Sequence, residues 1–518
     1  MKLMPRTRFG ALWRFAVAAI VVIGAAAGTT AVAGLLEVKT IVDELKLGKP
    51  VQVKELTLPP FGAPETLLMI GADHRIGQGP GIGNTDTMIL ARIDDSSSTI
   101  NLLSIPRDLE VQLGGGAITK LTSIYSMSGP GGLLNTLKQQ VFPGLKVNHI
   151  LIVSFLGFSK MVDAIGCVYT MVDHRYYNNT AVTNYSSIDI QPGYQRLCGD
   201  DAGPNGALAF VRFRHTDSDL VREARQQDFI RWAKDGFSTS ELLSDQSRLT
   251  RVFAENTQTD KSLDSTDGLI NLADLVINAN GHTLKSIPFP VDATPTIGTE
   301  QYVQSDPASE AAAYREFMTP TKPPPPPPPP PKTVIAKKGK SKPKPHKPAP
   351  QVSTAGLIGA PGLGRSQTAQ LGRIGMQVYY PGLIASDSEY CFSSSGNCDE
   401  PPNPASVYAN TYPRNYGIRA PDGSIYPAYV FTLVINSALG EWYSVQGTAW
   451  THPPILNVKP SHVQVIDGKT LFEYENGGKM SLVAMRTAHG VYWIANTLTD
   501  TIPNSEMVAM ASSFTLAR

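Results

Sequence analysis

Residues 149–166 have the sequence HILIVSFLGFSKMVDAIG. The first part, His149–Phe155, is a short apolar run rich in β-branched residues, which is typical of a buried strand. The second part, Phe158–Ile165, has apolar residues at helical spacing and is followed by Gly166, a residue type that commonly ends helices. A buried strand followed directly by a helix is the building unit of an α/β domain.

The same alternation extends in both directions and predicts an α/β sandwich domain over residues 64–318. Thr66–Ile70, Thr87–Ile93 and Ile100–Ile105 are strand-like, and Leu133–Val141 predicts a helix after the glycine pair that precedes it.

A second folded region is predicted over residues 373–518. It contains six strand-like segments, several of them separated by turn dipeptides such as Asp467-Gly468 and Asn476-Gly477. A helix is predicted at Ser505–Ser513. This region is therefore expected to be a mostly antiparallel β domain with one helix.

The two regions are joined by a predicted linker, residues 319–372. It contains nine consecutive prolines, Pro323–Pro331, followed by seven lysines and no acidic residue in 332–347. Such a sequence is an extended polyproline II spacer. Its lysines could lie near an anionic wall polymer or a membrane. A solvated linker is the preferred interpretation.

The N-terminus predicts export. A basic tail, residues 1–14, precedes the uncharged segment 15–36, which would be about 33 Å long as a helix and long enough to cross a bilayer. Residues 37–63 form a polar stalk. A retained anchor, with the N-terminus cytoplasmic and the remainder extracellular, is favoured over a signal peptide cleaved near Ala31-Val32-Ala33.

Charge and cysteine content limit the function further. The chain has 45 basic and 44 acidic residues, a net charge of +1, which argues against a nucleic-acid-binding protein. The four cysteines lack zinc-ligand spacing. In an oxidising compartment they predict two local disulfides, Cys167–Cys198 and Cys391–Cys398.

Charged residues of the first region concentrate in a few segments. These are Gly71–Arg75, Asn84–Met88, Ser104–Asp108 and Phe210–Gln227. Arg212 and Arg214 are two apart on a segment predicted to be extended, so they face the same side. Arg222 and Gln226 are four apart on a predicted helix that Asp219 is placed to cap.

This combination predicts phosphoryl transfer on a pyrophosphate. Guanidinium groups bind phosphate oxygens bidentately, and one or two carboxylates beside phosphates suit Mg²⁺. The simpler alternative is that the arginines form surface ion pairs with Asp217, Asp219 and Glu223. That alternative is weaker for the whole pattern, because Arg107 stands directly after a predicted buried strand.

Together these segments resemble the LytR-CpsA-Psr (LCP) family of cell-wall glycopolymer ligases. The matching elements are Asn84–Met88, Ile105–Asp108, Val153–Gly166 and Ala209–Gln227. The resemblance covers residues 64–240 and more loosely extends to about 315, and it leaves the C-terminal region without an assigned role. Val221 and Cys167 stand where the family more often has glycine.

The resemblance implies a three-layer α/β/α domain with a central mixed sheet. It also implies an Mg²⁺-dependent transferase that moves a glycopolymer phosphate from a polyprenyl-pyrophosphate carrier to a peptidoglycan acceptor. Asp73 and Asp86 would hold the metal. The pyrophosphate would be held by Arg75, Arg107, Arg212, Arg214, Arg222, Arg225 and Gln226. A carboxylate such as Asp73 or Asp108 could act as the base for the attacking hydroxyl.

A lipid carrier also requires an apolar channel. The candidates for its lining are Ile124, Leu133, Leu134, Leu137, Ile152, Phe155, Phe158, Phe229 and Trp232. Two alternative functions use the same residues: hydrolysis of the polyprenyl pyrophosphate, and a non-catalytic lipid-binding wall scaffold. A transcriptional regulator fits poorly, because the arginine-rich block lies on the exported side.

Overall fold

The structure is a computed structural model of the chain. It describes residues 51–57, 59–60, 62–73, 83–178, 188–199, 205–213, 217–235, 252, 255–264, 282–322, 354–392, 398 and 412–517. The predicted cytoplasmic tail, membrane anchor and most of the stalk lie outside these residues, as do Arg75 and Arg214. In the part of the chain that is described, no helix combines the length and apolar character needed to span a bilayer.

A six-stranded mixed sheet forms the centre of the first domain. The strands of the whole domain, six of which form this sheet, are β1 (Glu65–Asp73), β2 (Asn84–Ile93), β3 (Thr99–Ser104), β4 (Glu110–Gln112), β5 (Ile118–Lys120), β6 (His149–Ser154), β7 (Val168–Val172), β8 (Tyr176–Asn178), β9 (Ile188–Ile190), β10 (Gly193–Leu197), β11 (Thr257–Thr259), β12 (Thr283–Ile287), β13 (Thr296–Ile297) and β14 (Glu300–Gln301). The helices are α1 (Leu121–Thr136), α2 (Phe155–Ala164), α3 (Ala207–Arg212), α4 (Asp219–Asp235) and α5 (Pro307–Met318). The strand order in the sheet is β11-β6-β1-β2-β3-β12. The pairs β1–β6 and β3–β12 are parallel and the others antiparallel.

Apolar residues on both faces of this sheet explain its three layers. Leu67 and Ile89 point into a core that includes residues of α2 and α4. Leu68 and Leu90, the next residues along each strand, point into a second core with residues of α1 and α5. Because side chains alternate along a strand, the sheet is covered on both sides. The expected three-layer α/β/α fold with a mixed sheet is confirmed by this sheet and its two cores.

Helix α1 is longer than the sequence predicts. The prediction started the helix at Leu133, whereas helical structure begins at Leu121 and continues into a π-helical turn at Leu137–Val141. The glycine pair Gly131-Gly132 was expected to precede the helix, but both residues lie within it. Gly129 takes a positive φ of 66°, which joins the two helical segments.

A buried ionic triad fastens one end of the central sheet. His149, the first residue of β6, lies with its Nε2 3.2 Å from a Glu65 carboxylate oxygen and its Nδ1 3.2 Å from an Asp260 oxygen. The side chains of all three are almost completely buried. Burial lowers the pKa of His149, but hydrogen bonds from the ring to Asp260 and Glu65 outweigh it and raise the pKa to about 9.

The C-terminal domain is built on one antiparallel sheet. Its strands are β15 (Leu357–Gly359), β16 (Tyr379–Pro381), β17 (Leu383–Ala385), β18 (Glu389–Tyr390), β19 (Arg414–Arg419), β20 (Ile425–Asn436), β21 (Glu441–Thr448), β22 (His462–Ile466), β23 (Lys469–Asn476), β24 (Lys479–Thr487), β25 (Gly490–Ala495) and β26 (Phe514–Leu516). Its helices are α6 (Pro361–Gln370) and α7 (Asn504–Ser512). The main sheet has the order β18-β20-β21-β25-β24-β23-β22, with β19 also paired to β20.

The sequence placed the start of this domain too late. Strand β15 and helix α6 fall inside the predicted linker, residues 319–372, and β15 pairs with β17 of the folded domain. The signal was weak because Gly and Pro punctuate this segment. Near its other end, the predicted linker contains Thr321, whose carbonyl oxygen accepts a hydrogen bond of 2.7 Å from the Ser98 N–H of the first domain. The predicted helix at Ser505–Ser513 is present as α7.

Both predicted disulfides are confirmed. Cys167 is bonded to Cys198, which ties the turn after α2 to the segment after β10. Cys391 is bonded to Cys398 in the C-terminal domain. The structure contains no free cysteine among its described residues.

Candidate active site

A β-bulge between the two middle strands of the central sheet, near the end of β1, sets the position of Asp86. The register of β1 and β2 shifts between Gly71 and Ala72, which pair with Thr87 and Thr85, so Asp86 is an extra residue in β2. The Thr85 hydroxyl lies 3.0 Å from the carbonyl oxygens of both Gly71 and Thr87. A bulge redirects the extra side chain out of the ladder, and here that side chain is a carboxylate.

Two arginines from different elements converge on this carboxylate. Arg107, which follows Pro106 after the end of β3, donates a hydrogen bond to Asp86 Oδ1. Arg212, the last residue of α3, places its Nη2 3.5 Å from Asp86 Oδ2. The side chains of Arg107 and Arg212 remain 25 % and 31 % exposed, so both guanidinium groups can reach a ligand from solvent.

Asp73, the second predicted metal ligand, ends strand β1. Its backbone pairs with Asn84, two residues before Asp86 on the adjacent strand. The two aspartates therefore lie at the same end of neighbouring strands. The Asp73 side chain is outside the described part of the structure, so the predicted metal pair stays a prediction.

A second charged group extends from Arg107. The Arg107 Nε lies 3.5 Å from an Asp108 oxygen, and Lys120 Nζ lies 3.4 Å from the other oxygen of that carboxylate. Lys120 also pairs with Glu300 at 2.7 Å. No sequence motif identifies Lys120 or Glu300, because they come from short strands distant in sequence.

The pKa values of this group reflect its mixed charge. Burial raises the pKa of Asp108; Arg107 and Lys120 counteract this, but Asp219 adds to it and the net pKa is raised. Burial lowers the pKa of Arg107, and Asp86, Asp108 and Asp219 outweigh that effect, so its net pKa is raised. Asp108 thus holds a proton more readily than an ordinary aspartate, whereas Arg107 stays charged.

Arg222 is linked to the cluster by Asp219, which interacts electrostatically with Arg107 and Asp108. It is 2 % exposed, and its Nη1 lies 3.0 Å from Asp219 Oδ1, one helical turn earlier in α4. The buried Nε atoms of Arg212 and Arg222 make no hydrogen bond within the described residues. Buried donors left unsatisfied are costly, and an anion bound between these side chains would satisfy them.

Arg225, predicted to bind pyrophosphate, makes several contacts within the protein. It is fully buried, pairs with Asp217, and donates to the carbonyl oxygens of Phe213 and Phe210 at 3.0 and 3.3 Å. Its guanidinium also stacks 4.4 Å above the Tyr176 ring. Arg225 therefore holds the segment before α4 in place, and its predicted contact with pyrophosphate stays a prediction.

Gln226 makes a contact within the protein, and Arg212 differs from expectation in its secondary structure. Gln226 Nε2 donates to the Val211 carbonyl oxygen at 3.1 Å, which spends one of its donors inside the protein. Arg212 was predicted on an extended segment, but it ends helix α3. A cation at a helix C-terminus is favoured by the helix dipole. Because Arg212 is helical, the argument that Arg212 and Arg214 face the same side of an extended segment does not apply.

An apolar cavity opens beside the arginines. Its volume is about 90 Å³, and its walls come from β1, β2, β6, α2, α3 and α4, with Arg212 and Gln226 among the lining residues. The Arg212 guanidinium lies 3.9 Å from the centre of the Phe155 ring, which also lines the cavity. The site is therefore amphipathic: charged at Asp86–Arg212 and apolar beyond Phe155.

Three of the nine predicted lining residues contribute to this cavity, namely Phe155, Phe158 and Phe229. The others are core residues. Ile124, Leu133, Leu134, Leu137 and Ile152 pack on the opposite face of the sheet. Trp232 packs against Tyr194 with a ring-centre distance of 5.8 Å.

Comparisons with known proteins find relatives that match part of the chain. The chain is 27 % identical over 237 residues to the polyisoprenyl-teichoic acid–peptidoglycan teichoic acid transferase TagU of Oceanobacillus iheyensis, covering 43 % of this chain and 69 % of the relative. It is 26 % identical over 232 residues to TagV of Bacillus subtilis, a transferase of the same name, covering 44 % and 57 %. A probable cell wall biosynthesis protein of Corynebacterium glutamicum, LcpB, is 31 % identical over 32 % of this chain and 39 % of its own.

Solved structures are also similar to part of the chain. The crystal structure of B. subtilis TagV matches 49 % of this chain and 96 % of its own at 21 % identity, with a TM-score of 0.40. The LytR-Csp2A-Psr enzyme from Actinomyces oris matches 52 % of this chain and 96 % of its own at 22 % identity, with a TM-score of 0.38. The model of the LytR_cpsA_psr family matches residues 37–316, more than half of the sequence. The chain therefore belongs to the LytR_cpsA_psr family.

Proposed function

We propose that the protein is a phosphotransferase that moves a wall glycopolymer phosphate from a polyprenyl-pyrophosphate carrier to a peptidoglycan hydroxyl. The observation that carries the proposal is the junction at Arg212, which contacts Asp86 on one side and the ring of Phe155 on the other. An amphiphile with an anionic headgroup and an apolar chain fits this junction. The names of the teichoic acid transferases among its relatives support the same class of substrate.

The arginines bind and orient the pyrophosphate in this proposal. Arg107 and Arg212 flank Asp86, and Arg222 approaches through Asp219. Their buried, unsatisfied N–H groups provide the donors for phosphate oxygens. Because these groups are already held in place, little reorganisation accompanies the spread of negative charge in the transition state.

Mg²⁺ is proposed as the cofactor, because the donor set fits it. Asp86 offers a carboxylate that the bulge turns out of the sheet. Asp73 is the last residue of β1, the strand that pairs with β2. Mg²⁺ is usually held by one or two carboxylates together with substrate phosphates. When bound, it would neutralise charge on the phosphate oxygens.

The transfer itself exchanges one phosphorus–oxygen bond for another. The acceptor hydroxyl oxygen bonds to the phosphorus that carries the glycopolymer, and the bond to the bridging oxygen of the pyrophosphate breaks. Polyprenyl phosphate leaves. The hydroxyl proton passes to a carboxylate, and we assign this role to Asp108, whose raised pKa favours proton uptake.

The same proposal places the protein in the cell membrane. Segment 15–36 would anchor it with the N-terminus in the cytoplasm, and the two disulfides are consistent with an extracellular domain. Protease treatment of spheroplasts should digest the domain of the intact protein while leaving a cytoplasmic N-terminal tag protected. Protection of the whole chain would contradict this topology.

The function is tested with a synthetic polyprenyl-pyrophosphate-linked donor and purified peptidoglycan, by measuring polyprenyl phosphate release and label transfer. Arg107→Ala and Arg212→Ala should each lower turnover about a hundredfold, since a phosphate contact in the transition state is worth about 3 kcal/mol. Arg212→Lys should recover part of the loss, because it keeps the charge without the planar fork. Arg315→Ala, an exposed arginine on α5, is the matched control and should stay within about twofold of the wild type.

The alternatives give different products in this assay. Release of polyprenyl phosphate without label transfer, even with acceptor present, would identify a hydrolase. Binding of the donor without any release would identify a lipid-binding scaffold. Equal, small losses in Arg107→Ala, Arg212→Ala and Arg315→Ala would remove the support for a pyrophosphate site.

A further inference from the structure

The two domains share one hydrophobic core. Trp493 and Ala484 of the C-terminal sheet belong to the same buried cluster as Tyr169 and Tyr194 of the β7–β10 pair. The Tyr194 N–H donates to the Tyr416 hydroxyl at 2.8 Å, and the Trp493 and Tyr194 rings lie 6.0 Å apart. The proline-rich segment therefore joins two domains that are packed together rather than separated.

Glycines allow an unusually close approach across this interface. A Cβ at Gly193 would lie 2.6 Å from the Tyr416 ring, and a Cβ at Gly477 would lie 2.6 Å from the Lys285 side chain. A Cβ at Gly440 would lie 2.5 Å from Cγ2 of Val221. Contacts this close leave little freedom for one domain to slide over the other.

The Gly440 contact falls on the helix that carries the arginines. Gly440 lies in the turn between β20 and β21, with a positive φ of 68°. Val221 is buried in the first turn of α4, between Asp219 and Arg222. A backbone turn of the C-terminal domain therefore covers α4 directly beside the Asp219–Arg222 ion pair.

A second set of contacts reaches the same helix through the segment Asp173–Arg175. The His174 ring stacks on the Trp442 ring at 3.9 Å, and the Arg175 N–H donates to the Tyr412 hydroxyl at 2.9 Å. The Tyr176 hydroxyl, in turn, donates to Asp173 at 2.5 Å.

These contacts continue to the segment before α4. The Tyr176 ring supports the guanidinium of Arg225. Arg225 pairs with Asp217, two residues before α4 begins. The C-terminal domain thus contacts both the first turn of α4 and the residues that hold its N-terminal segment.

We propose that the C-terminal domain is a positioning element of the active site. The β20–β21 turn and the residues that hold Asp173–Arg175 clamp the start of α4, and this fixes the Asp219–Arg222 pair relative to Arg107. Val221 and Gly440 are positioning residues, because they act through their neighbours. The prediction for turnover rests on the proposed function, whereas the prediction for the helix itself does not.

Gly440→Ala tests the clamp. The added Cβ would meet Val221, so α4 must shift or loosen. Gly423→Ala is the matched control, because Gly423 has a positive φ of 88° in the same domain and no atom within 4 Å of an added Cβ. Both variants carry the same kind of backbone strain, and only Gly440→Ala carries the contact.

Two measurements are made on the full-length protein, at a temperature where circular dichroism shows each variant to be folded. Amide hydrogen exchange of residues 217–227 should rise at least tenfold in Gly440→Ala and stay at the wild-type rate in Gly423→Ala. Turnover of the polyprenyl-pyrophosphate donor should fall at least tenfold in Gly440→Ala. Adding Val221→Ala, which removes both Cγ atoms, should restore both readouts to within about threefold of Val221→Ala alone.

Three outcomes separate this inference from the proposed function. Equal exchange and equal turnover in Gly440→Ala and Gly423→Ala would overturn the clamp. Faster exchange with unchanged turnover would also overturn it, since α4 would then be loosened without consequence for catalysis. A wild-type protein that releases no polyprenyl phosphate would refute the proposed function, and exchange would still decide whether the helix is clamped.

A separate experiment covers the case in which Gly440→Ala does not fold. A protease site placed in the lysine-rich segment 332–347 allows the folded protein to be cut between its domains. The two fragments should elute together in size-exclusion chromatography and retain wild-type exchange at residues 217–227. Separation of the fragments without a change in that exchange would overturn the proposal.

Discussion

The stability of this protein should fall on the alkaline side because of His149. The buried imidazolium bridges Glu65 and Asp260, and this raises the pKa of His149 from 6.5 to about 9. A group whose folded pKa exceeds its unfolded pKa stabilises the fold fully below the unfolded value. That stability is lost as the pH rises through the folded value.

The magnitude follows from the shift. Each pKa unit corresponds to 1.36 kcal/mol, so the rise from 6.5 to about 9 corresponds to about 3 kcal/mol of unfolding free energy. We expect this amount to be lost between about pH 6 and about pH 9.5. His149→Gln removes the charge and leaves two buried carboxylates without their cation, so it should destabilise the fold most strongly at the acid end of this range.

The assay is urea unfolding followed by tryptophan fluorescence at several pH values. The difference in unfolding free energy between wild type and His149→Gln should shrink by about 3 kcal/mol from pH 6 to pH 9.5. His489→Gln, at an exposed turn position, is the control and should follow the wild-type profile. A difference that is independent of pH over this range would show that His149 is not charged in the folded protein.

Two further predictions concern covalent and ionic contacts near the site. Replacing Cys167 and Cys198 together by alanine removes a cross-link with a sequence separation of 31. Chain entropy predicts that the unfolding free energy, measured by urea unfolding, falls by about 4 kcal/mol. A fall of less than about 1 kcal/mol would contradict this prediction. Arg225→Lys loses the planar contacts to Asp217 and to the Phe213 carbonyl, so the thermal midpoint should fall by several degrees while Arg315→Lys leaves it unchanged. Equal midpoints in the two variants would show that these contacts do not stabilise the fold.

Periodicity predicted the layers of the first domain because the physical causes are local. The strand His149–Phe155 and the helix after it follow from the spacing of apolar residues, and the structure has β6 and α2 there. Arg212 shows where local reasoning fails. An Arg-x-Arg pair alternates like a strand, yet the preceding segment begins with the good helix formers Ala207, Leu208 and Ala209 and adopts α3.

The roles of individual arginines depend on burial, which a single sequence does not reveal. Arg222 and Arg225 are three apart in one motif, but Arg225 faces aromatic rings and carbonyl oxygens whereas Arg222 faces Asp219. The interface between the domains was equally hidden. Tyr194 and Trp493 are ordinary apolar residues in their own segments, and nothing in the spacing indicates that they meet.

The shared core has a consequence for how the chain is made. Strand β25, which carries Trp493, is synthesised about 260 residues after the end of α4. At about 5–20 residues per second this interval lasts about 13–50 s. During that time the aromatic face of β7 and β10 lacks its contacts with the C-terminal sheet, and an exposed apolar face is prone to aggregation. Efficient production in the cell should therefore depend on a chaperone that shields this face until the C-terminal sheet arrives.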